Sequence, residues 1–356
     1  MSNYIEFKNK ICFHPGYYIK EIVDESGLTQ EDFAKRLGTT PKNLSILIRG
    51  DQSLSIEMAN KLSRMLGTSV SLWLNLQQSY DEMQAECISN EELEQEKTVF
   101  KLIDYNYFCV NFSLPELKRK TEERIKTLRE FLSVSSLQLL KQEDLAVSFR
   151  SYSKELSTSN IVNANAMVQV AVNIALKTDA PKFDKKKFEK AVSFALTQTK
   201  NHDTFLPAIT KEFIDAGVIL VALPNLKNSG INGATKRIDG KVMIMVNDRR
   251  HYEDTLWFTL FHEIGHVLNN DFGATVEGDY ESDADLYARD ILIPKEEYEE
   301  FVANSEGYYS VRSIRSFAES IDQDPGIVYG RLQIDGEIPY TDKAIAEKVR
   351  HRVKLQ

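Results

Sequence analysis

The stretch Trp257-Phe-Thr-Leu-Phe-His-Glu-Ile-Gly-His-Val-Leu268 decides how the rest of the chain is interpreted. Its apolar residues recur at helical spacing, and His262 and His266 are four positions apart, so both imidazoles face the same way from one helix. Two imidazole nitrogens can bind Zn²⁺, and Glu263 stands beside them, where it can act on a water at the metal. The pattern H-E-x-x-H therefore predicts a zinc site on a buried helix. Histidines that only hydrogen-bond within such a helix are the alternative.

A zinc centre needs a third protein ligand, and an acidic segment, residues 277–285, supplies candidates. We expect Glu281 to be the ligand, because it starts a predicted helix that Pro294 ends, and a first-turn carboxylate can lean towards the histidine helix. Asp285 lies one turn further and is expected to accept a hydrogen bond from a ligand imidazole. Without a metal, both acids would be solvated charges.

A small sheet is predicted before the histidine helix. The apolar run 218–224, bounded by glycine and proline, is typical of a buried strand. Two further strands, within 230–235 and 241–247, flank Asp239-Gly240, which predicts a hairpin with a two-residue turn. The three strands are expected to leave an edge on which an extended peptide can lie.

The N-terminal region has the spacing of several short helices. Thr29 can cap one helix that Gly38 ends, and Thr40 can cap a second helix with Pro41 at its first position. Two short helices joined by such a turn form a helix-turn-helix, whose second helix enters the major groove of DNA. The alternative is a helical packing module with a solvated polar face. The residues expected to contact DNA are polar and lie at the starts of these helices: Gln30, Thr39, Thr40, Lys42, Asn43 and Ser45.

Length and composition are those of a multidomain globular protein. The chain has 356 residues, of which 42% are hydrophobic and 27% charged. Neither a membrane-spanning apolar run nor a signal peptide is evident, so a cytoplasmic location without a membrane partner is expected. Three scattered cysteines fit a reducing compartment. The net charge is -9, yet residues 1–76 carry nine Lys and Arg against eight Asp and Glu, so the acidity lies outside the predicted DNA-binding region.

Four regions are predicted along the chain, with these roles: residues 1–81 as a helix-turn-helix domain, 82–159 as a helical acidic linker, 160–300 as a metallopeptidase domain and 301–356 as a helical segment that packs on it. The acidic run 82–96 predicts a solvated helix or linker, and the basic residues at 119–129 are expected to be solvated rather than bound to DNA. Residues 317–332 repeat the spacing of residues 33–48, which predicts that residues 313–333 form a second pair of helices with a packing role.

The N-terminal motifs resemble those of HigA-type antitoxins, which are dimeric operator-binding proteins of the Xre repressor class. The resemblance covers residues 11–81 and is carried by His14-Pro-Gly16, Leu28-Thr-Gln-Glu-Asp-Phe-Ala34 and Trp73-Leu-Asn-Leu-Gln77. It implies that operator DNA is a partner and that the protein is a homodimer.

Residues 160–295 look like the ImmA/IrrE metallopeptidase family, through Phe258 to His266 and the segment Glu281-Ser-Asp-Ala-Asp-Leu-Tyr-Ala288. The resemblance implies that His262, His266 and Glu281 bind zinc and that Glu263 is the catalytic base. Asp285 stands where the family commonly has Asn, and Tyr287 where it commonly has Phe. The expected fold class is α+β, mainly helical with a small β-sheet, combining an all-α helix-turn-helix domain with a zincin-like domain.

Together these features predict a transcriptional regulator or antitoxin that binds operator DNA and uses a zinc-dependent endopeptidase to cut a partner protein, such as a repressor or an antitoxin. Glu263 would move a proton from water to the leaving amine. His251, Tyr252 and Tyr287 are candidate donors to the oxyanion, and the sequence leaves the choice open. The alternative is an operator-binding antitoxin whose peptidase-like domain binds or senses a toxin or another partner without significant proteolysis.

Overall fold

The computed structural model describes residues 3–142, 157–276 and 282–355, and the chain divides into two compact units, Met1–Gln95 and Glu96–Gln356. Helices dominate and the sheets are small, which confirms the predicted α+β class. None of the helices in the described ranges has the length and hydropathy that a membrane span requires. The domain bounds given above at residues 81, 159 and 300 stay predictions.

The first unit begins with a hairpin of two antiparallel strands, β1 (Tyr4–Phe7) and β2 (Lys10–Phe13). Helices follow in this order: α1 (Pro15–Glu25), α2 (Gln30–Leu37), α3 (Pro41–Ile48), α4 (Ile56–Leu66) and α5 (Val70–Phe100), which contains the boundary between the units. The hairpin corrects the prediction of an all-α N-terminal domain. Its turn residues, Lys8 and Asn9, have positive φ values of 48° and 62°. This turn lacks the glycine that marks most tight hairpins in a sequence.

Helices α2 and α3 form the helix-turn-helix, and both predicted caps are present. The Thr29 hydroxyl accepts a hydrogen bond from the Asp32 amide at 3.1 Å, and the Thr40 hydroxyl accepts one from the Asn43 amide at 3.1 Å. Each cap satisfies an amide that the first turn of a helix leaves without a backbone partner. The apolar sides of these helices meet in one core that includes Ile19, Phe33, Leu44, Leu62 and Trp73.

The second unit contains the end of α5 and most of the secondary structure. In chain order its elements are α6 (Tyr105–Phe112), α7 (Thr121–Leu132), a 3-10 helix (Leu137–Lys141), α8 (Thr158–Lys177), α9 (Lys185–Leu196), α10 (Phe205–Asp215), β3 (Val218–Leu223), β4 (Ile231–Ile238), β5 (Lys241–Asn247), α11 (Glu253–Asn269), β6 (Gly273–Val276), α12 (Ser282–Leu292), α13 (Lys295–Ser305), α14 (Val311–Ser320), α15 (Pro325–Ile334) and α16 (Lys343–Val349). The predicted helix pair at 313–333 is present as α14 and α15.

The sheet of this unit has the strand order β3-β5-β4-β6. Strands β4 and β5 form the predicted hairpin, with its turn at Asp239 and Gly240, whereas β3 runs parallel to β5. The predicted three-stranded sheet was incomplete, because β6 returns after α11 and pairs with β4. The outer edge of β4 is therefore covered, and the described strands at the two edges are β3 and β6. A strand of four residues carries little periodic signal, which is why the sequence did not reveal β6.

One residue of the acidic run contradicts its interpretation as a solvated surface. Glu96 is fully buried, accepts a hydrogen bond from the Leu137 amide at 2.6 Å and lies 3.4 Å from the guanidinium of Arg129. Arg129 was predicted to be solvated, but it supplies the cation that a buried carboxylate needs. Sequence composition cannot distinguish one buried glutamate from its exposed neighbours.

Candidate metal centre and DNA-binding helices

Helix α11 carries its two histidines in the core of the second unit. Trp257, Phe261 and Ile264 belong to the same buried cluster as Leu220 and Ile244 of the sheet. These apolar contacts hold the helix against the sheet and bury its polar face as well. His262, Glu263 and His266 are 7%, 0% and 4% exposed. Buried polar groups are stabilised only by close partners, so their neighbours define what this site can bind.

We call His262, Glu263 and His266 the His-Glu site. The Nε2 atoms of its two histidines lie 3.0 Å apart. The Nδ1 atom of His262 lies 2.9 Å from Asp285 Oδ1, and that of His266 lies 3.0 Å from Asp271 Oδ2. When each carboxylate accepts the Nδ1 hydrogen of a neutral imidazole, both Nε2 atoms are acceptors that face each other. Two acceptors cannot hydrogen-bond to one another, so the geometry fits a shared cation.

The donor set and its spacing fit a zinc ion. Two nitrogens bound about 2.0 Å from one tetrahedral ion lie about 3.3 Å apart, close to the separation of the two Nε2 atoms. Carboxylates that hold the second nitrogen of each imidazole are the usual outer partners of metal-bound histidines. The predicted third ligand, Glu281, lies outside the described residues. Asp271 was not singled out from the sequence, although its place five residues after His266 is a usable signal.

Helix α12, which brings Asp285 to His262, packs closely against α11 at Gly265. A Cβ atom there would lie 3.2 Å from Tyr287 Cδ1 and 3.4 Å from Ala284 Cα. The nearer atom belongs to a side chain, so an alanine here would require Tyr287 to shift by a few tenths of an ångström. The glycine of the H-E-x-G-H segment thus lies where α12 packs closely against the histidine helix.

Glu263 lies directly against the backbone of β4. A Cβ atom at Gly233 would lie 2.5 Å from Glu263 Oε1, closer than any non-bonded contact permits. A substitution at this glycine therefore has to displace the carboxylate or the strand. The sequence places Gly233 in the predicted hairpin and among the residues that resemble the ImmA/IrrE family, but it does not predict the contact with Glu263.

A cavity of about 540 Å³ lies beside Asp285 and is lined by Tyr252 and Phe258, among others. The three candidates for the oxyanion donor differ in their position relative to this cavity. His251 lines a different cavity of about 710 Å³. Tyr287 packs beside Gly265, and burial raises the pKa of its phenol to about 12. Among the three, Tyr252 is the one that lines the same cavity as Asp285.

An ion pair that the sequence did not suggest borders the same cavity. Arg350 donates from Nε to Asp254 Oδ1 at 2.9 Å and from one terminal nitrogen to Asp254 Oδ2 at 2.8 Å. Burial raises the pKa of Asp254 to about 6, and the guanidinium of Arg350 opposes that rise. The same guanidinium lies 3.7 Å from the ring centroid of Tyr252. Arg350 therefore links the second residue of α11 to Tyr252.

In the first unit, the residues predicted to contact DNA lie at the N-terminal ends of α2 and α3. Gln30 and Lys42 are exposed and sit at the first and second positions of these helices. The Thr40 side chain caps α3, so its hydroxyl already holds a backbone amide. Lys42 is therefore the exposed cation at the start of the candidate recognition helix.

Asn43 is held by its neighbours. Its Nδ2 donates to Thr39 Oγ1 at 2.9 Å, and its Oδ1 accepts from Gln52 Nε2 at 2.8 Å. One amide hydrogen and one lone pair remain, which is what a bidentate contact with adenine requires. Ser45 is engaged differently, since its hydroxyl accepts a hydrogen bond from Arg49 at 2.9 Å. Gln52 was not predicted and is the residue that fixes the Asn43 amide.

Comparison with known families agrees with the two units. Residues 19–73 match the helix-turn-helix family, and residues 219–320 match the IrrE N-terminal-like domain of peptidase family M78. The chain therefore belongs to the helix-turn-helix regulators through its N-terminal region, and it carries an IrrE-like domain towards its C-terminus. Both resemblances inferred from the sequence motifs are confirmed.

Individual relatives match the N-terminal region. The chain is 39% identical over 72 residues to the uncharacterised HTH-type transcriptional regulator YddM of Escherichia coli (strain K12), covering 20% of this chain and 77% of that protein. It is 41% identical over 69 residues to virulence-associated protein A' of Dichelobacter nodosus, covering 19% and 60%. A crystal structure of a proposed antidote protein of a plasmid maintenance system from Nostoc punctiforme is 36% identical, covers 24% of this chain and 92% of its own, and has a TM-score of 0.23.

Proposed function

We propose that this protein is an operator-binding regulator that carries a zinc-dependent endopeptidase acting on a partner protein, such as a repressor or an antitoxin. The observation that carries the enzymatic part is the convergence of two Nε2 atoms beside a buried glutamate. A helix retained only for packing would not need two histidines whose outer nitrogens are each matched to a carboxylate.

In this proposal His262, His266 and Glu281 hold the zinc ion. When bound, zinc supplies a Lewis acid that polarises a peptide carbonyl and lowers the pKa of water. Asp285 and Asp271 keep both imidazoles in the tautomer that directs Nε2 inwards. These two carboxylates also reduce the freedom of the rings, so the site is largely formed before a substrate binds.

In the same proposal Glu263 is the general base. Its carboxylate takes a proton from the attacking water and passes it to the nitrogen of the leaving amine. The backbone at Gly233 restricts where that carboxylate can lie. Tyr252 is held by Arg350 in the wall of the adjoining cavity, ten residues before His262, where its side chain would contact a bound substrate. A side chain of the substrate would enter that cavity against Phe258.

Glu263→Gln tests the catalytic part, because it preserves shape while removing the base. The full chain is incubated with candidate partner proteins, including the product of a neighbouring gene, and cleavage is followed by mass spectrometry. We expect cleavage to fall about 100-fold or more with zinc content unchanged. Glu296→Gln, at an exposed glutamate in the first turn of α13, is the matched control. Equal cleavage by both variants would remove Glu263 from the mechanism, and tight binding without cleavage by the wild type would favour a sensing role.

The DNA-binding part is proposed to act as a homodimer on two half-sites, as helix-turn-helix regulators commonly do. Lys42→Ala should weaken binding to every DNA and reduce the slope of log affinity against log salt by about 1. Asn43→Ala should instead weaken binding to the operator alone, by roughly 5- to 100-fold. Gel-shift titrations with operator and scrambled DNA measure both, with Lys20→Ala on α1 as the control. Unchanged affinities would mean that α3 is not the recognition helix.

A further inference from the structure

A second group of metal-binding side chains lies in the same unit and is not part of the His-Glu site. We call it the C-terminal cluster. It consists of His202 before α10, Asp324 at the start of α15 and His351 after α16. One nitrogen or carboxylate oxygen from each of the three lies within 4.8 Å of those from the other two. Three separate segments of the chain thus deliver the donors to one point.

The donor atoms converge without bonding to one another. His202 Nε2 lies 3.6 Å from Asp324 Oδ2, and His351 Nε2 lies 3.9 Å from the same oxygen. Both distances exceed the 2.7–3.2 Å of a hydrogen bond. They approach the roughly 3 to 3.5 Å that separates neighbouring ligand atoms on a transition-metal ion with bonds of about 2.0–2.2 Å. The two imidazoles are stacked with their centroids 3.6 Å apart, and the Nε2 atoms of both rings lie near the same oxygen of Asp324.

Two of the three donors are oriented by further contacts. His202 Nδ1 lies 2.6 Å from Oε2 of Glu253, which directs the opposite nitrogen towards Asp324. Asp324 uses Oδ1 to accept a hydrogen bond from the Gly326 amide at 2.7 Å, which leaves Oδ2 facing the imidazoles. A carboxylate behind a ligand histidine is the same arrangement that Asp285 and Asp271 provide in the His-Glu site.

The cluster also places two acidic side chains beside the imidazoles. Asp324 and Glu253 are both buried, with 6% of each exposed. Buried carboxylates are stabilised by a positively charged partner. A divalent cation bound by the two imidazoles and Asp324 would supply that charge.

We propose that His202, Asp324 and His351 bind a divalent transition-metal ion of the zinc class, separate from the ion at the His-Glu site. Two imidazoles and one carboxylate suit Zn²⁺, Co²⁺ or Ni²⁺, whereas Mg²⁺ and Ca²⁺ prefer ligand sets made of oxygen alone. Water completes the coordination of this ion. The proposal does not depend on peptidase activity.

This ion has a structural consequence for α11. The amide of Glu253 donates to the carbonyl of His351 at 3.0 Å, and Glu253 also holds His202. The cation would therefore fasten the C-terminal segment to the first residue of α11. Glu253 precedes His262 by nine residues, which is about 14 Å along a helix. The two ions would thus bind at different points along the same helix.

Counting bound ions tests the proposal on the full chain. After equilibration with Co²⁺ and dialysis, elemental analysis should give two ions per chain for the wild type and one for either His202→Gln or His351→Gln. The variant His262→Gln/His266→Gln should also retain one ion, and adding His351→Gln to it should remove that ion. His251→Asn, at a histidine of the second unit outside the cluster, should keep both. Circular dichroism checks that every variant is folded.

Asp324→Asn addresses the chance that a histidine variant fails to fold, because asparagine can still cap α15. It should weaken binding of the second ion by about tenfold or more without unfolding the protein. In the His262→Gln/His266→Gln background, saturating Co²⁺ should raise the melting temperature by roughly 5 °C, and Asp324→Asn should lessen that rise. A wild type whose ion count is unchanged by His202→Gln, His351→Gln and Asp324→Asn would overturn the proposal.

Discussion

The His-Glu site and the C-terminal cluster both bring together two imidazoles and neighbouring carboxylates, but the chain assembles them differently. His262 and His266 are four residues apart on one helix, so helical periodicity alone places them side by side. His202 and His351 come from segments far apart in the sequence and meet only in the folded unit. A local site can be predicted from spacing, whereas a site built from distant segments depends on every contact that positions those segments.

Arg350→Met should have the largest effect, and it should act on the C-terminal cluster, because Arg350 anchors the segment that carries His351. It leaves the carboxylate of Asp254 buried without its partner, so we expect the free energy of unfolding of the second unit to fall by about 3–5 kcal/mol. Chemical denaturation measures the change. Arg352→Met, at an exposed arginine two residues on, should change stability by less than about 0.5 kcal/mol.

The effect of Arg350→Met should depend on pH. The pKa of Asp254 is about 6 in the folded protein and 3.8 is its ordinary value, so the folded state binds the proton more tightly. Stability from this group is therefore greatest in acid and is lost as the pH rises from about 4 to about 6. Without Arg350 the pKa of Asp254 in the folded protein rises further, so the loss of stability extends to higher pH. The variant should thus be less destabilised at pH 5 than at pH 8, and equal destabilisation at both would contradict this assignment.

Gly233→Ala tests whether the His-Glu site, although its histidines lie on one helix, also depends on a contact with a distant strand. The new methyl group should displace the Glu263 carboxylate and lower cleavage about 100-fold while zinc stays bound. It should also destabilise the unit by about 1–3 kcal/mol through overpacking.

A double-mutant cycle provides the control for Gly233→Ala. Glu263→Asp shortens the side chain that the methyl group meets, so the two substitutions together should destabilise less than the sum of their separate effects. Additive effects would mean that the methyl group clashes elsewhere.

The smallest effect is expected from substitution of Asp285 or Asp271, the carboxylates that contact the Nδ1 atoms of the two ligand imidazoles. Asp285→Asn should weaken zinc binding by roughly 10- to 100-fold, because asparagine still accepts the Nδ1 hydrogen but carries no charge. Asp271→Asn should do less, since Asp271 is 57% exposed and Asp285 only 37%. Competition with a chromogenic chelator measures both affinities. A reversed order would show that exposure does not control how strongly these groups act.

Features governed by local spacing were predicted well. The caps at Thr29 and Thr40 and the hairpin turn at Asp239 and Gly240 each follow from a few adjacent residues, and the structure contains all three. The roles of the zinc ligands and of the DNA-contacting residues stay predictions, although His262, His266 and their carboxylates do meet in the fold.

Features that depend on distant pairing were missed. Strand β6 exists because β4 offers it a partner, and Glu96 is buried because the 3-10 helix and Arg129 surround it. Gln52 fixes Asn43 from nine residues away, across the end of α3. None of these contacts leaves a periodic pattern in the chain, since each is set by where two segments pack.

The pairing of Arg350 with Asp254 also has a consequence for biosynthesis. The two residues are 96 positions apart. At roughly 5–20 residues per second, a ribosome needs about 5–20 seconds to add that length of chain. During this interval the start of α11 lacks its cation and the segment that braces it. The helix-turn-helix unit is synthesised earlier, so the nascent protein would complete this unit before its candidate metal centre.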